Sequence, residues 1–212
     1  MSTQTLNPLA QTAQILALAE LRYLPGFPRS YRFDAKKGIL NFNGEKDLTQ
    51  KGQAFSLVPL AFRIFTDEIL GFSRRRWAEL FFVNEGGQVC SLLFHSYSVE
   101  QLQRALGELY YDDASLTDVR LTVLPEPRQN AYGSYYVATF RCEALPAAER
   151  AQLAALADSL PPLYRQETLT GDAWLHISKN FEAPGEDCPP HQAGELPGAT
   201  PALMEEAQTA EA

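Results

Sequence analysis

Residues 76–97, "RWAELFFVNEGGQVCSLLFHSY", constrain the fold more than any other stretch. Two β-prone apolar runs flank "NEGG" at 84–87, and Gly86 and Gly87 can supply the positive φ that a tight reversal needs. A hairpin is therefore predicted at the middle of the chain. Directly after it, "SVEQLQRALGELYYDD" has Val99, Leu102, Leu106 and Leu109 at helical spacing. Ser98 with Gln101 three residues on has the spacing of a capping box, which predicts a helix over 98–111.

Strands are predicted on both sides of this unit. "SYRFDAKKGILNF" reads as two short strands around a turn at Lys36, Lys37 and Gly38, followed by a polar loop over 43–52. Residues 53–70 form one long strand candidate, in which Pro59 implies an edge position or a bulge. Beyond the helix, 118–127 and 134–145 read as two strands joined by a loop containing "RQNAYG". Leu121 and Val123 alternate there with Arg120, Thr122 and Leu124, the period of a half-wet strand. A second helix is predicted over 146–160, with Pro146 in its first turn and Pro161 and Pro162 stopping it. A last strand is placed at 173–177.

The domain reading is a 1–30 extension containing a short helix, a β-rich domain over 31–142, a helix and final strand over 143–181 packing on it, and a disordered acidic tail over 182–212. The fold class expected is mainly β, a β-rich α+β chain. With 45% hydrophobic and 11% aromatic residues it can bury a real core. No apolar run approaches the roughly 18–20 residues of a membrane span, and no signal peptide is read. Cys90, Cys142 and Cys188 are odd in number and far apart, which argues against a disulfide framework or a cysteine zinc site. A cytoplasmic protein is expected, with no cofactor and no membrane partner.

The net charge of -8 is unevenly placed. Residues 31–142 carry 13 basic and 13 acidic side chains, whereas 143–212 carry 3 basic and 12 acidic. The acidity thus lies in the C-terminal third, and a neutral β-rich segment can still present a basic surface.

Catalytic motifs are lacking. There is no GxSxG and no GxxxxGK[ST]. His95 and His176 sit singly on predicted strands, and the acidic pairs Asp67–Glu68 and Asp112–Asp113 sit at element ends, where they are solvated turns more often than metal sites. No enzyme is expected. A metal-dependent nuclease using Asp112, Asp113 or Asp118 is a third and weakest option.

Single-stranded nucleic acid uses best what is present. Its binding needs cations for phosphates and flat side chains for bases. Arg74, Arg75 and Arg76 form the densest basic cluster, with Trp77 adjacent as a stacking ring. Lys36, Lys37, Lys46 and Lys51 lie in predicted loops, and Arg128 lies near Tyr132 and Tyr135. Tyr31, Phe33, Phe42, Phe55, Phe62, Phe65 and Tyr136 are interleaved with them, although strand aromatics more often form core, as expected for Phe62, Phe81, Phe82, Phe94 and Phe140.

A helix between a hairpin and two further strands resembles the OB-fold of single-stranded nucleic-acid-binding proteins, at the level of architecture over about 31–142. The resemblance implies a small five-stranded Greek-key barrel and largely sequence-independent DNA or RNA binding, of a phage or mobile-element type concerned with DNA replication or recombination. Bacterial members carry an acidic tail that recruits partner proteins. This chain ends "LMEEAQTAEA", which departs from the acidic-then-apolar tip of such tails. The alternative is a protein–protein interaction module using a strand edge or an aromatic patch. A homo-oligomer through an exposed strand edge is compatible with either.

Overall fold

The computed structural model describes residues 21–161, Leu163 and the strand Trp174–Ile177. The elements in chain order are Arg29–Asp34 (β1), Ile39–Phe42 (β2), Lys46–Asp47 (β3), Phe55–Leu57 (β4), Ala61–Asp67 (β5), Arg75–Val83 (β6), Val89–His95 (β7), Tyr97–Tyr111 (α1), a 3-10 turn Leu116–Asp118, Val119–Asn130 (β8), Gly133–Ala144 (β9), Ala147–Ser159 (α2) and Trp174–Ile177 (β10). Two sheets result, one of seven strands in the order β10-β5-β6-β7-β1-β2-β3 and one of three in the order β4-β8-β9. All pairings are antiparallel except β1 with β7, so the large sheet is mixed. The β-rich α+β class is as expected. The ladders draw an open mixed sheet with a second sheet beside it, and they do not draw a closed five-stranded barrel.

Strand alternation gives the central strands β5, β6 and β7 of the large sheet two buried faces. On one, Phe62, Ile64, Ala78, Leu80, Leu92 and Phe94 join Leu121, Val123 and Ala138 of the small sheet and Val99, Leu102 and Leu109 of α1. On the other, Ala61, Phe81, Val83 and Val89 pack with Leu153 and Ala157 of α2. The second face also holds the Arg63–Glu79 pair directly across the β5–β6 ladder, with Arg63 Nε donating to Glu79 Oε2 at 2.6 Å. The aromatics assigned to the core behave as expected: Phe62, Phe81 and Phe94 are buried, and Phe82 and Phe140 pack against the main cluster.

Three local expectations are corrected. The single strand over 53–70 is two, and β4 and β5 belong to different sheets. Pro59 lies in the break, where a residue without an N–H ends one ladder before Leu60 N donates to Phe81 O at 2.7 Å and begins the next. The α1 N-cap is Ser96, not Ser98. Ser98 is inside the helix and buried, and its Oγ accepts the Ala138 N–H of β9 at 3.0 Å. "RQNAYG" is not a loop, because β8 and β9 pair out to Asn130 and Gly133 and leave only Ala131 and Tyr132 unpaired. The N-terminal helix falls mostly outside the described residues. Its last part, from 21 to 24, is irregular with an isolated bridge from Arg22 to Gln88. The acidic tail over 182–212 lies outside the described residues, as does Cys188.

Candidate nucleic-acid interface

Register fixes which predicted side chains share a place. Trp77 pairs with His95, and Asp67 with Arg75, so β6 begins where β7 ends. Arg32 pairs in parallel with Leu93, which brings Asp34 level with His95 two residues on. The β1–β2 turn, the start of β6 and the start of α1 therefore share one end of the large sheet. From β6 to β1 is two strand spacings, about 10 Å.

The β8–β9 hairpin joins the same end. Tyr136 N donates to Ala35 O at 2.6 Å, and Gly52 N donates to Gly38 O at 2.9 Å. The Tyr136 ring lies so close over Gly38 that a Cβ there would come within 2.4 Å of it, and φ at Gly38 is +68°. Only glycine fits both the turn and the ring. Past Tyr136 the hairpin continues as an exposed arm whose residues 127–134 face solvent. Its tip is Tyr132, 99% exposed and four residues beyond the Ala35 contact, about 13 Å.

This end collects Lys36, Lys37, Lys51, Arg74, Arg75, Arg76, Arg128, Tyr132 and Tyr135 from the predicted set. Lys51 Nζ lies 5.7 Å above the Tyr136 ring. Lys37 is paired with Asp47 at 3.2 Å and Arg128 with Glu126 at 3.1 Å, both exposed pairs that water and salt weaken. Lys36 and Lys51 are exposed and form no ion pair with another described residue. Asp34, the nearest carboxylate in sequence, accepts the Lys36 and Lys37 backbone N–H groups at 2.8 and 3.1 Å and so organises the turn.

Three expectations do not survive as drawn. Trp77 is 1% exposed, with its indole N–H donating to Asp67 O at 3.0 Å. It cannot stack on a base, and the Arg–Trp motif dissolves. The arginine triplet is also divided, because successive strand residues point to opposite faces. Arg75 lies on the Trp77 side over Phe72, Arg76 reaches Gln103 Oε1 of α1 at 2.9 Å on the other, and Arg74 is exposed in the loop before β6. Lys46 is apart from the rest. It pairs with Phe42 at the opposite end of β2, the end where the Arg29 guanidinium covers the Phe42 ring at 4.2 Å. Of the interleaved aromatics, Tyr31, Phe33, Phe55, Phe62 and Phe65 are buried and belong to the fold.

The ring that replaces Trp77 is Phe72, which sequence reasoning passed over. It is 42% exposed, with the Arg75 guanidinium carbon 4.4 Å from its centroid. Behind it lie His95 at 5.3 Å and Trp77 at 5.9 Å, ring centroid to centroid. Trp77 thus acts as a buried backing for an exposed ring. Phe72 closes a turn in which its N–H donates to Ile69 O at 3.1 Å, with φ of 58° at Leu70 and 76° at Gly71. Leucine in that region costs about 1–2 kcal/mol. The one available signal was "LGFS", where Gly predicts the turn and leaves its neighbours at a tip.

His95 Nδ1 lies 3.0 Å from Ser96 Oγ. Burial, and secondarily the Arg75 charge, push its pKa below the ordinary histidine value, so the ring is neutral at pH 7. Cys90 is fully buried and its thiol is pushed up to about 11 by burial, which leaves it unreactive. Among the described residues no group of three or more His, Cys, Asp or Glu side chains could hold a metal ion. Asp118 accepts the Ser115 N–H at 2.8 Å, capping the 3-10 turn. Among the same residues no helix is long and apolar enough to cross a membrane. Comparison with protein-family models, curated proteins and solved structures finds no match for this chain.

Proposed function

We propose that the protein binds single-stranded DNA or RNA, without catalysis and largely without sequence preference, across the end of the large sheet defined by Phe72, the β1–β2 turn and the β8–β9 arm. The observation that carries this reading is the Phe72–Arg75 pair, an exposed ring with a guanidinium on it, on the same sheet end as Lys36, Lys51 and the arm. Bases stack on rings and phosphates pair with cations, and neither contact reads sequence. Arg74, Lys36, Lys37 and Lys51 meet phosphates. Phe72, Tyr132 and Tyr135 offer rings, each worth about 1–3 kcal/mol per stacked base. The open sheet does not weaken the proposal, since stacking and phosphate pairing need a surface and not a closed barrel.

The strand-edge version of the protein-interaction alternative has less to work with at β9. There the Tyr136 and Ala138 N–H groups are already taken by Ala35 O and Ser98 Oγ.

The test is fluorescence anisotropy with labelled single- and double-stranded oligonucleotides about 30 nucleotides long. Preferential single-strand binding with similar affinity for different sequences is expected. Equal or stronger duplex binding, or none at about 50 mM salt, would sink the reading.

A further inference from the structure

The turn 69–72 goes further than stacking requires. We infer that Leu70 and Phe72 form a wedge that opens base pairs where a duplex meets a single strand, an inference that rests on the single-strand reading above.

Leu70 and Gly71 both have positive φ, and Phe72 N returns to Ile69 O, the pattern of a type I′ turn. That turn favours Asn-Gly, because asparagine tolerates the left-handed region and leucine does not. Leucine here does not recover the strain by packing, since its side chain is 44% exposed. The chain therefore holds an apolar side chain at a tip in an unfavourable backbone conformation, where a polar residue would serve the turn better. Strain kept at an exposed site is a pointer to function.

The occupant follows from size and charge. Apolar side chains inserted singly or in pairs between base steps unstack them, and leucine and phenylalanine are among those used. Arg74 and Arg75 follow the tip directly, and Arg75 lies on Phe72, so the wedge is flanked by cations suited to the phosphates of the parted strands. Two partly exposed apolar side chains are too few to anchor a protein in a bilayer. The tip also adjoins the surface proposed to receive single strands, so a released strand has Phe72 and the basic row within reach.

The experiment uses the full chain and a forked DNA duplex with a fluorophore and quencher at the junction. The informative variant is Leu70→Asn, which keeps the turn and removes the apolar tip, so it folds at least as well as the parent. The parent is expected to raise junction fluorescence stoichiometrically without a nucleotide. Leu70→Asn is expected to need at least tenfold more protein for the same opening while binding poly(dT) within about twofold of the parent. Opening equal to the parent's by Leu70→Asn overturns the wedge and leaves the single-strand reading intact. Failure of the parent to bind poly(dT) overturns both. Sedimentation with phosphatidylserine vesicles that Leu70→Asn abolishes would make the tip a membrane contact and overturn the wedge.

Discussion

His95 is where pH enters the structure. Its folded pKa lies below the ordinary value because burial, then Arg75, penalise the imidazolium. In the window from that lowered pKa up to about 6.5, the unfolded chain binds more protons at this site than the folded chain. Stability from this residue is complete above about pH 6.5 and is lost as pH falls through the window. Chemical denaturation at pH 7.5 and 5.5 should show a loss on acidification that His95→Gln reduces. An equal loss in the variant would assign the acid sensitivity elsewhere. At the same scale, Phe72→Ala should weaken poly(dT) binding roughly tenfold, the worth of about one stacked base, with little effect on melting temperature. Trp77→Ala should instead lower stability by about 3–5 kcal/mol, read by denaturant titration. Sequence reasoning put its candidate stacking ring at Trp77, which the structure buries. Trp77 lies two residues further into β6 than Arg75 on the same face, and from Trp77 to Phe81 the strand is buried on both faces. Phe72 lacked any periodic pattern to mark it, because an isolated ring in a Gly turn has no period.

The β8–β9 arm is the element that brings the site together, and Gly38 is its seat. Gly38→Ala forces a Cβ into the Tyr136 ring at positive φ, so it should cost about 1–3 kcal/mol, or displace the arm and weaken poly(dT) binding. Denaturant titration with anisotropy on the same sample checks both outcomes. No change in either would mean that the arm does not depend on this contact. The hairpins over 30–42 and 76–97 and both helices were legible, because their periodicity and turn residues agree. The break at Pro59 was visible only as a proline, since where a strand changes sheets is decided by partners distant in sequence. Ser98 illustrates the same limit. Its spacing to Gln101 fits a cap, but the Ala138 N–H at the edge of β9 claims its hydroxyl.

For the molecule as a whole, the class was readable and the arrangement was not. Alternating apolar residues specify strands with buried faces, but do not say whether ten of them close into a barrel or divide into two sheets. The central strands β5, β6 and β7 are buried on both faces, so charge and exposed rings lie at the ends of the sheet, on its β1–β3 side and on the arm. The central claim is that one such end, and not the opposite end near Lys46, contacts phosphates. The most direct test is the salt dependence of poly(dT) affinity for the parent, for Lys36→Ala/Lys51→Ala/Arg74→Ala, and for Lys46→Ala. Each phosphate contact removed should flatten the slope of log affinity against log salt by about 0.7. The account predicts a slope shallower by about 2 for the triple variant and unchanged for Lys46→Ala. A slope unchanged in the triple variant, or flattened only by Lys46→Ala, would contradict it.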